Sequence, residues 1–144
     1  MPQSLANVTT HMVFSTKNRS PMLQPDVKKR VLPYLAATLN NHGCPCLAVG
    51  GVEDHVHLLF QLGRTIALAQ VAEKVKTGSS KAVGPGLTWQ SGYGAFAISS
   101  GDVEAARHYV LTQEEHHRKV SFQDEYRELL RAAGIEWNEG YVWD

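Results

Sequence analysis

Two apolar runs, 46–52 and 55–62, are separated only by Glu53-Asp54, and no other stretch of this chain constrains its fold as tightly. So short a connection leaves no room for a crossover, so the runs must pair as an antiparallel hairpin. Helical patterns flank the hairpin on both sides. Pro25 to Asn41 repeats Val27, Val31, Leu35 and Leu39 at fours, with Pro25 suited to a first helical turn and Gly43 just past the end. From about Thr65 to Val83, Ile66, Leu68, Val71 and Val75 make an apolar stripe while Lys74, Lys76 and Lys81 stay polar, and Gly84-Pro85-Gly86 stops the helix.

Outside this centre, Val8 to Ser15 alternates as a first strand, and Ala95-Phe96-Ala97-Ile98 marks another inside Trp89 to Ser99. Ser99-Ser100-Gly101-Asp102 offers an N-cap for a helix reaching about Lys119, and a last helix runs from Phe122 to Ala133, closed by Gly134. The order βαββαβα predicts an α+β fold of the ferredoxin-like, split-βαβ type, an antiparallel sheet with helices packed mainly on one face. Residues 1–144 show no repeat or linker and are expected to form a single domain.

No apolar run approaches the roughly 20 residues that span a bilayer, and Met1-Pro2-Gln3-Ser4-Leu5 lacks a signal-peptide layout, so a cytoplasmic protein is expected. The net charge is zero but unevenly spread: nine Lys/Arg against four Asp/Glu through Lys81, then five against ten. That asymmetry suits a localised phosphate-binding face, or complementary faces between two copies, rather than indiscriminate duplex binding. Lys28-Lys29-Arg30 reads as a solvated helix face. Cys44 and Cys46 read as reduced thiols. A joint zinc site with His55 and His57 is excluded by hairpin spacing: His57 falls opposite Gly50, and Cys46 lies about 13 Å along the strand.

His55 and His57 stand at i and i+2 on the second hairpin strand and therefore share a face. Imidazole pairs on a rigid strand make half of a divalent-metal site, although a polar strand face can look the same. Tyr109 and Gln113, four apart on the expected penultimate helix, also project together. A tyrosine beside a metal can attack phosphorus once charge is drawn off the phosphate oxygens. Alone, Tyr109 would be a core aromatic. The pairing with His-x-His is what favours chemistry.

These residues lie in four ordered runs: His11 to Arg19, Gly51 to Leu59, Trp89 to Phe96, and Tyr109 to His117, with a closing Tyr141-Val142-Trp143. In them the chain resembles the single-tyrosine HUH transposases of the insertion-sequence 200/605 group, TnpA-like. The resemblance implies that His55, His57 and Gln113 ligate a divalent metal, with Mg²⁺ expected and Mn²⁺ the alternative. It implies that Tyr109 is the nucleophile forming a 5′-phosphotyrosine link to single-stranded DNA with hairpin ends. Cleavage and rejoining at element ends follow, with no nucleotide cofactor, since bond energy is kept in the phosphotyrosine. Such proteins are homodimers, which implies sites combining His55 and His57 of one subunit with Tyr109 and Gln113 of the other.

The alternatives are a host-retained, palindromic-repeat-associated tyrosine transposase, a nucleic-acid-binding module without catalysis, and a zinc hydrolase. The last is weakened because no third His, Asp or Glu lies at an obvious ligand spacing. His116 and His117 read as a hydrated helix end. Trp89 and Tyr93 are open between base stacking and packing, Phe96 reads as core, and Glu53 and Asp54 read as turn residues, with an imidazole-orienting carboxylate as the sharper option.

Overall fold

A computed structural model describes residues 2–144. Its four strands, β1 (Thr9–Ser15), β2 (Cys46–Gly51), β3 (His55–Gln61) and β4 (Gly94–Ile98), form one antiparallel sheet in the order β2-β3-β1-β4. The β2–β3 hairpin is the one the two-residue connection demands. Helices α1 (Pro25–Asn41) and α2 (Leu68–Val83) carry the chain over the sheet, which places β1 between β3 and β4. This is the split-βαβ arrangement that the element order predicts. Helix α2 starts later than its apolar stripe, because the Gln70 side chain accepts the Ala67 N–H and fixes the first turn there.

The register sorts side chains by face. Met12, Phe14, Val56, Leu58 and Phe60 meet Val31, Leu35, Leu39, Val71 and Val75 of α1 and α2 in the main core. Trp89 joins it, edge-on to Phe14 and donating from Nε1 to Ser79 Oγ at 2.9 Å, so it packs rather than presents a stacking platform. The pairs Val13↔His57 and Ser15↔His55 send His11, Val13, His55 and His57 to the opposite face.

That opposite face is covered too. The two crossover helices lie on one side as expected, while α3 (Val103–Leu111), α4 (Gln113–His116) and α5 (Phe122–Ala132) close the other. The reason lies in the strands. Val13 and Phe96 pack with Phe122, Tyr126 and Leu130, and Ala48 and Leu59 pack with Val110; this second apolar surface needs its own cover. Glycines permit the close approach. A Cβ on Gly50 would collide with the Val110 carbonyl of α3, and one on Gly94 would lie 2.6 Å from the Tyr126 ring. Gly50 pairs with His57, so α3 comes nearest the sheet where His57 leaves it.

The helix expected from Asp102 to Lys119 is broken. At Thr112 (φ −110°, ψ 31°) α3 ends, and α4 is one turn that departs on a new course. The Thr112 hydroxyl donates to the His108 carbonyl at 2.8 Å, the kind of local bond by which threonine competes with helix continuation. Among the described residues, no helix is long and apolar enough to cross a membrane. Cys44 and Cys46 are free thiols, and Cys46 pairs with Phe60, away from both strand histidines.

Candidate metal and tyrosine site

Strand alternation delivers His11 from β1 and His55 and His57 from β3 onto the second face, under the roof of α3 to α5. Both β3 histidines are fully buried. Asp54, in the hairpin turn, contacts His55 Nδ1 at 2.7 Å. A carboxylate only accepts, so Nδ1–H donates and Nε2 faces the site with its lone pair free. That Nε2 has no hydrogen-bond partner. Asp54 therefore orients an imidazole as well as turning the chain. His57 is steadied in the same manner by His11, whose Nε2 lies 2.7 Å from His57 Nδ1.

Tyr109 descends from α3 with its hydroxyl donating to Glu125 Oε2, and its ring stands edge-on to His57 at 5.7 Å between centroids. One turn on, Gln113 is buried, its Nε2 donating to the Tyr109 carbonyl at 2.9 Å while Oε1 has no partner. A buried amide oxygen and a buried imidazole nitrogen, both unpaired, are the vacant donors that a cation would satisfy. Tyr109 thus meets His57 within one chain, with Gln113 bonded to the Tyr109 carbonyl. Within this chain α3 is seated directly on its own sheet through Gly50.

Sequence reasoning missed much of the surrounding shell. Glu125 of α5 is 3 % exposed and is the hub: its Oε1 lies 3.0 Å from His57 Nε2, 3.1 Å from His117 Nε2 and 3.4 Å from His55 Nε2. His116 Nε2 lies 3.2 Å from the other oxygen. His116 and His117 are therefore not a hydrated helix end; the break at Thr112 turns them inward. A ligand-type acid does reach the strand histidines, 68 residues from His57, so the spacing argument against further ligands fails. The available signal was position: Glu125 sits between Phe122 and Tyr126 on the apolar stripe of α5, where a carboxylate requires paired partners. Lys28, expected to be solvated, instead pairs with Glu114 and reaches the Gly51 carbonyl.

Electrostatics follow from burial and these partners. Burial pushes His57 down to about 4. His11 falls to about 3, by burial and then by the neighbouring His57. Burial also works against charge on His55, but the Asp54 hydrogen bond and the adjacent Glu125 charge override it and raise the group. Glu125 is held well below the carboxylate range: burial opposes this, and the bonds from His117, His55 and His57 prevail. Tyr109 is driven far above the usual phenol value by burial and then by the Glu125 charge, so its hydroxyl rests protonated against that carboxylate. Two clefts flank α4, one of about 470 Å³ lined in part by His117 and one of about 540 Å³ lined in part by Gln113 and Gly50.

The family profile described as "Transposase IS200 like" matches residues 4–113, a span holding His55, His57, Tyr109 and Gln113. The chain belongs to the IS200-like transposase family. Solved structures agree on the fold. One is the REP-associated tyrosine transposase bound to a REP hairpin, at 16% identity and TM-score 0.65, covering 96% of this chain and 89% of that one. Another, a proposed transposase of Deinococcus radiodurans R1, has 18% identity and TM-score 0.62 over 76% of this chain and 95% of its own. No curated protein sequence matches the chain. His117 and Glu125 lie beyond the segment that the IS200-like profile covers.

Proposed function

We propose that this IS200-like transposase cleaves and rejoins single-stranded DNA through a covalent bond between Tyr109 and a 5′-phosphate. The observation that carries the proposal is the placement of the Tyr109 hydroxyl beside His57, inside a shell whose His55 Nε2 and Gln113 Oε1 are buried without partners. In the attack, the Tyr109 oxygen bonds to phosphorus, the phosphorus–O3′ bond breaks, and the phenol proton passes by way of solvent to the departing oxygen, leaving a free 3′-hydroxyl. Glu125 Oε2 accepts the Tyr109 hydroxyl and so holds the phenol oxygen in place for the attack. His55 and His57, with Gln113, would hold a divalent cation; when bound, it supplies charge to polarise the scissile phosphate and lower the cost of phenolate formation. Asp54 and His11 keep the two imidazoles aimed, which reduces reorganisation on binding. Rejoining reverses the step, with an incoming 3′-hydroxyl displacing tyrosine, so no external energy source is needed.

The substrate is a single strand because α3 to α5 roof the site, and a flexible strand can be threaded past them where a duplex cannot. Hairpin ends are the expected recognition element, in keeping with the hairpin bound to the REP-associated protein of similar fold. Each chain, one domain over residues 1–144, carries a complete site. A homodimer would bring two such sites to the two ends of an element in the cytoplasm.

The test uses labelled hairpin oligonucleotides with Mn²⁺ or Mg²⁺. Wild type should yield a covalent protein–DNA band, Tyr109→Phe should bind the hairpin without forming it, and His57→Ala should neither cleave nor retain wild-type metal affinity. A covalent band from Tyr109→Phe would overturn the assignment. Mixing the two variants should restore nothing, because every site is built from one chain.

A further inference from the structure

We infer that the cation site is completed from outside the family-matched segment, with His117 as a third imidazole ligand and Glu125 Oε1 as its anionic ligand. The inference rests on the metal site of the proposed function and specifies its composition.

Tautomers carry the argument. His117 Nδ1 lies 2.6 Å from the Val120 carbonyl, which can only accept, so Nδ1–H donates and Nε2 is the ring nitrogen left to act as a ligand. Asp54 likewise fixes the proton of His55 on Nδ1 and leaves Nε2 as the nitrogen able to ligate. Both Nε2 atoms then point at Glu125 Oε1, at 3.1 and 3.4 Å, with His57 Nε2 also 3.0 Å away. Lone pairs facing a carboxylate oxygen repel unless a proton or a cation lies among them. Ligand atoms bound about 2.1 Å from one ion stand about 3 to 4 Å from each other, which is the spacing found. All four ligand atoms lie within 4.8 Å of one another, and His55, His57 and Glu125 are buried. The carbonyl behind His117 and the carboxylate behind His55 are the outer partners that ligating imidazoles commonly have.

Composition then decides the ion. Three imidazole nitrogens, with the Glu125 carboxylate oxygen and the Gln113 amide oxygen, favour Mn²⁺, Co²⁺ or Zn²⁺, whereas Mg²⁺ prefers oxygen donors and keeps its waters. Such a centre departs from the Mg²⁺ expected from resemblance. It also makes metal binding depend on the docking of α5, the helix that brings Glu125.

Calorimetry of the full chain with Mn²⁺ and with Mg²⁺ tests this. Mn²⁺ should bind at least about tenfold more tightly than Mg²⁺, and Glu125→Gln and His117→Ala should each weaken Mn²⁺ by about tenfold or more, the scale seen when metal-site partners are removed. Unchanged Mn²⁺ affinity in either variant overturns the ligand set. If His57→Ala loses affinity while those two do not, only this inference fails; if His57→Ala also binds normally, the underlying metal reading fails. Because Glu125 is buried, a folding-independent readout is added: pulsed EPR of Mn²⁺ bound to wild type should count three imidazole nitrogens, and a count of two would refute the role of His117.

Discussion

Gly50→Ala should be among the most damaging small substitutions in this chain, although it adds only one methyl group. The new Cβ would collide with the backbone carbonyl of Val110, and backbone cannot rotate aside as a side-chain tip can. To reach a van der Waals separation of about 3.5 Å, α3 must retreat by more than an ångström. Overpacking of this kind costs about 1–3 kcal/mol. The catalytic cost should be larger, because Tyr109 is one residue from Val110 and its hydroxyl must stay with Glu125 beside His57. A misplacement of about 1 Å at a reacting group lowers rates about a hundredfold. Urea unfolding and single-turnover cleavage of a hairpin oligonucleotide measure the two effects separately. Gly101→Ala, whose Cβ meets nothing within 4 Å, is the control. Wild-type stability and cleavage in Gly50→Ala would refute the claim that α3 is seated through this glycine.

Leu58 is fully buried between β1 and the crossover helices, so Leu58→Ala should cost about 2–5 kcal/mol by chemical denaturation; a loss under 1 kcal/mol would contradict the packing described. In chelator, His11 and His57 are neutral in the fold down to about 3 and 4, while the unfolded chain protonates them near 6.5. The unfolded state therefore binds more protons in that window, and the stability they confer is complete above pH 6.5 and falls as pH drops toward 4. His55, raised in the fold, works in the opposite sense but is one group against two. Urea midpoints that stay flat or rise from pH 6.5 to 4 would contradict this assignment of neutral imidazoles.

Much of the fold was legible because it rests on periodicity and chain geometry. The two-residue turn forced the hairpin, and the His57–Gly50 pairing follows from that turn alone. The helices α1 and α2 were legible from stripes that the sheet then buries. Cover on the second face was not, since Val13, Leu59 and Phe96 announce a buried surface without saying what lies on it. In the site, i+2 and i+4 spacing put His55 with His57 and Tyr109 with Gln113, and the resemblance to single-tyrosine HUH transposases, not the spacing, supplied their expected roles. Glu125 and His117 did not, because their approach depends on the break at Thr112 and on the docking of α5, tertiary events with no local period.

The central claim is that Tyr109 is the nucleophile, and intact mass spectrometry of the protein after reaction with a hairpin-bearing single strand tests it most directly. The account predicts a mass increase equal to the 3′-side cleavage product, with peptide mapping placing the 5′-phosphate on Tyr109. A product strand released with no adduct, or an adduct on another residue, would contradict it.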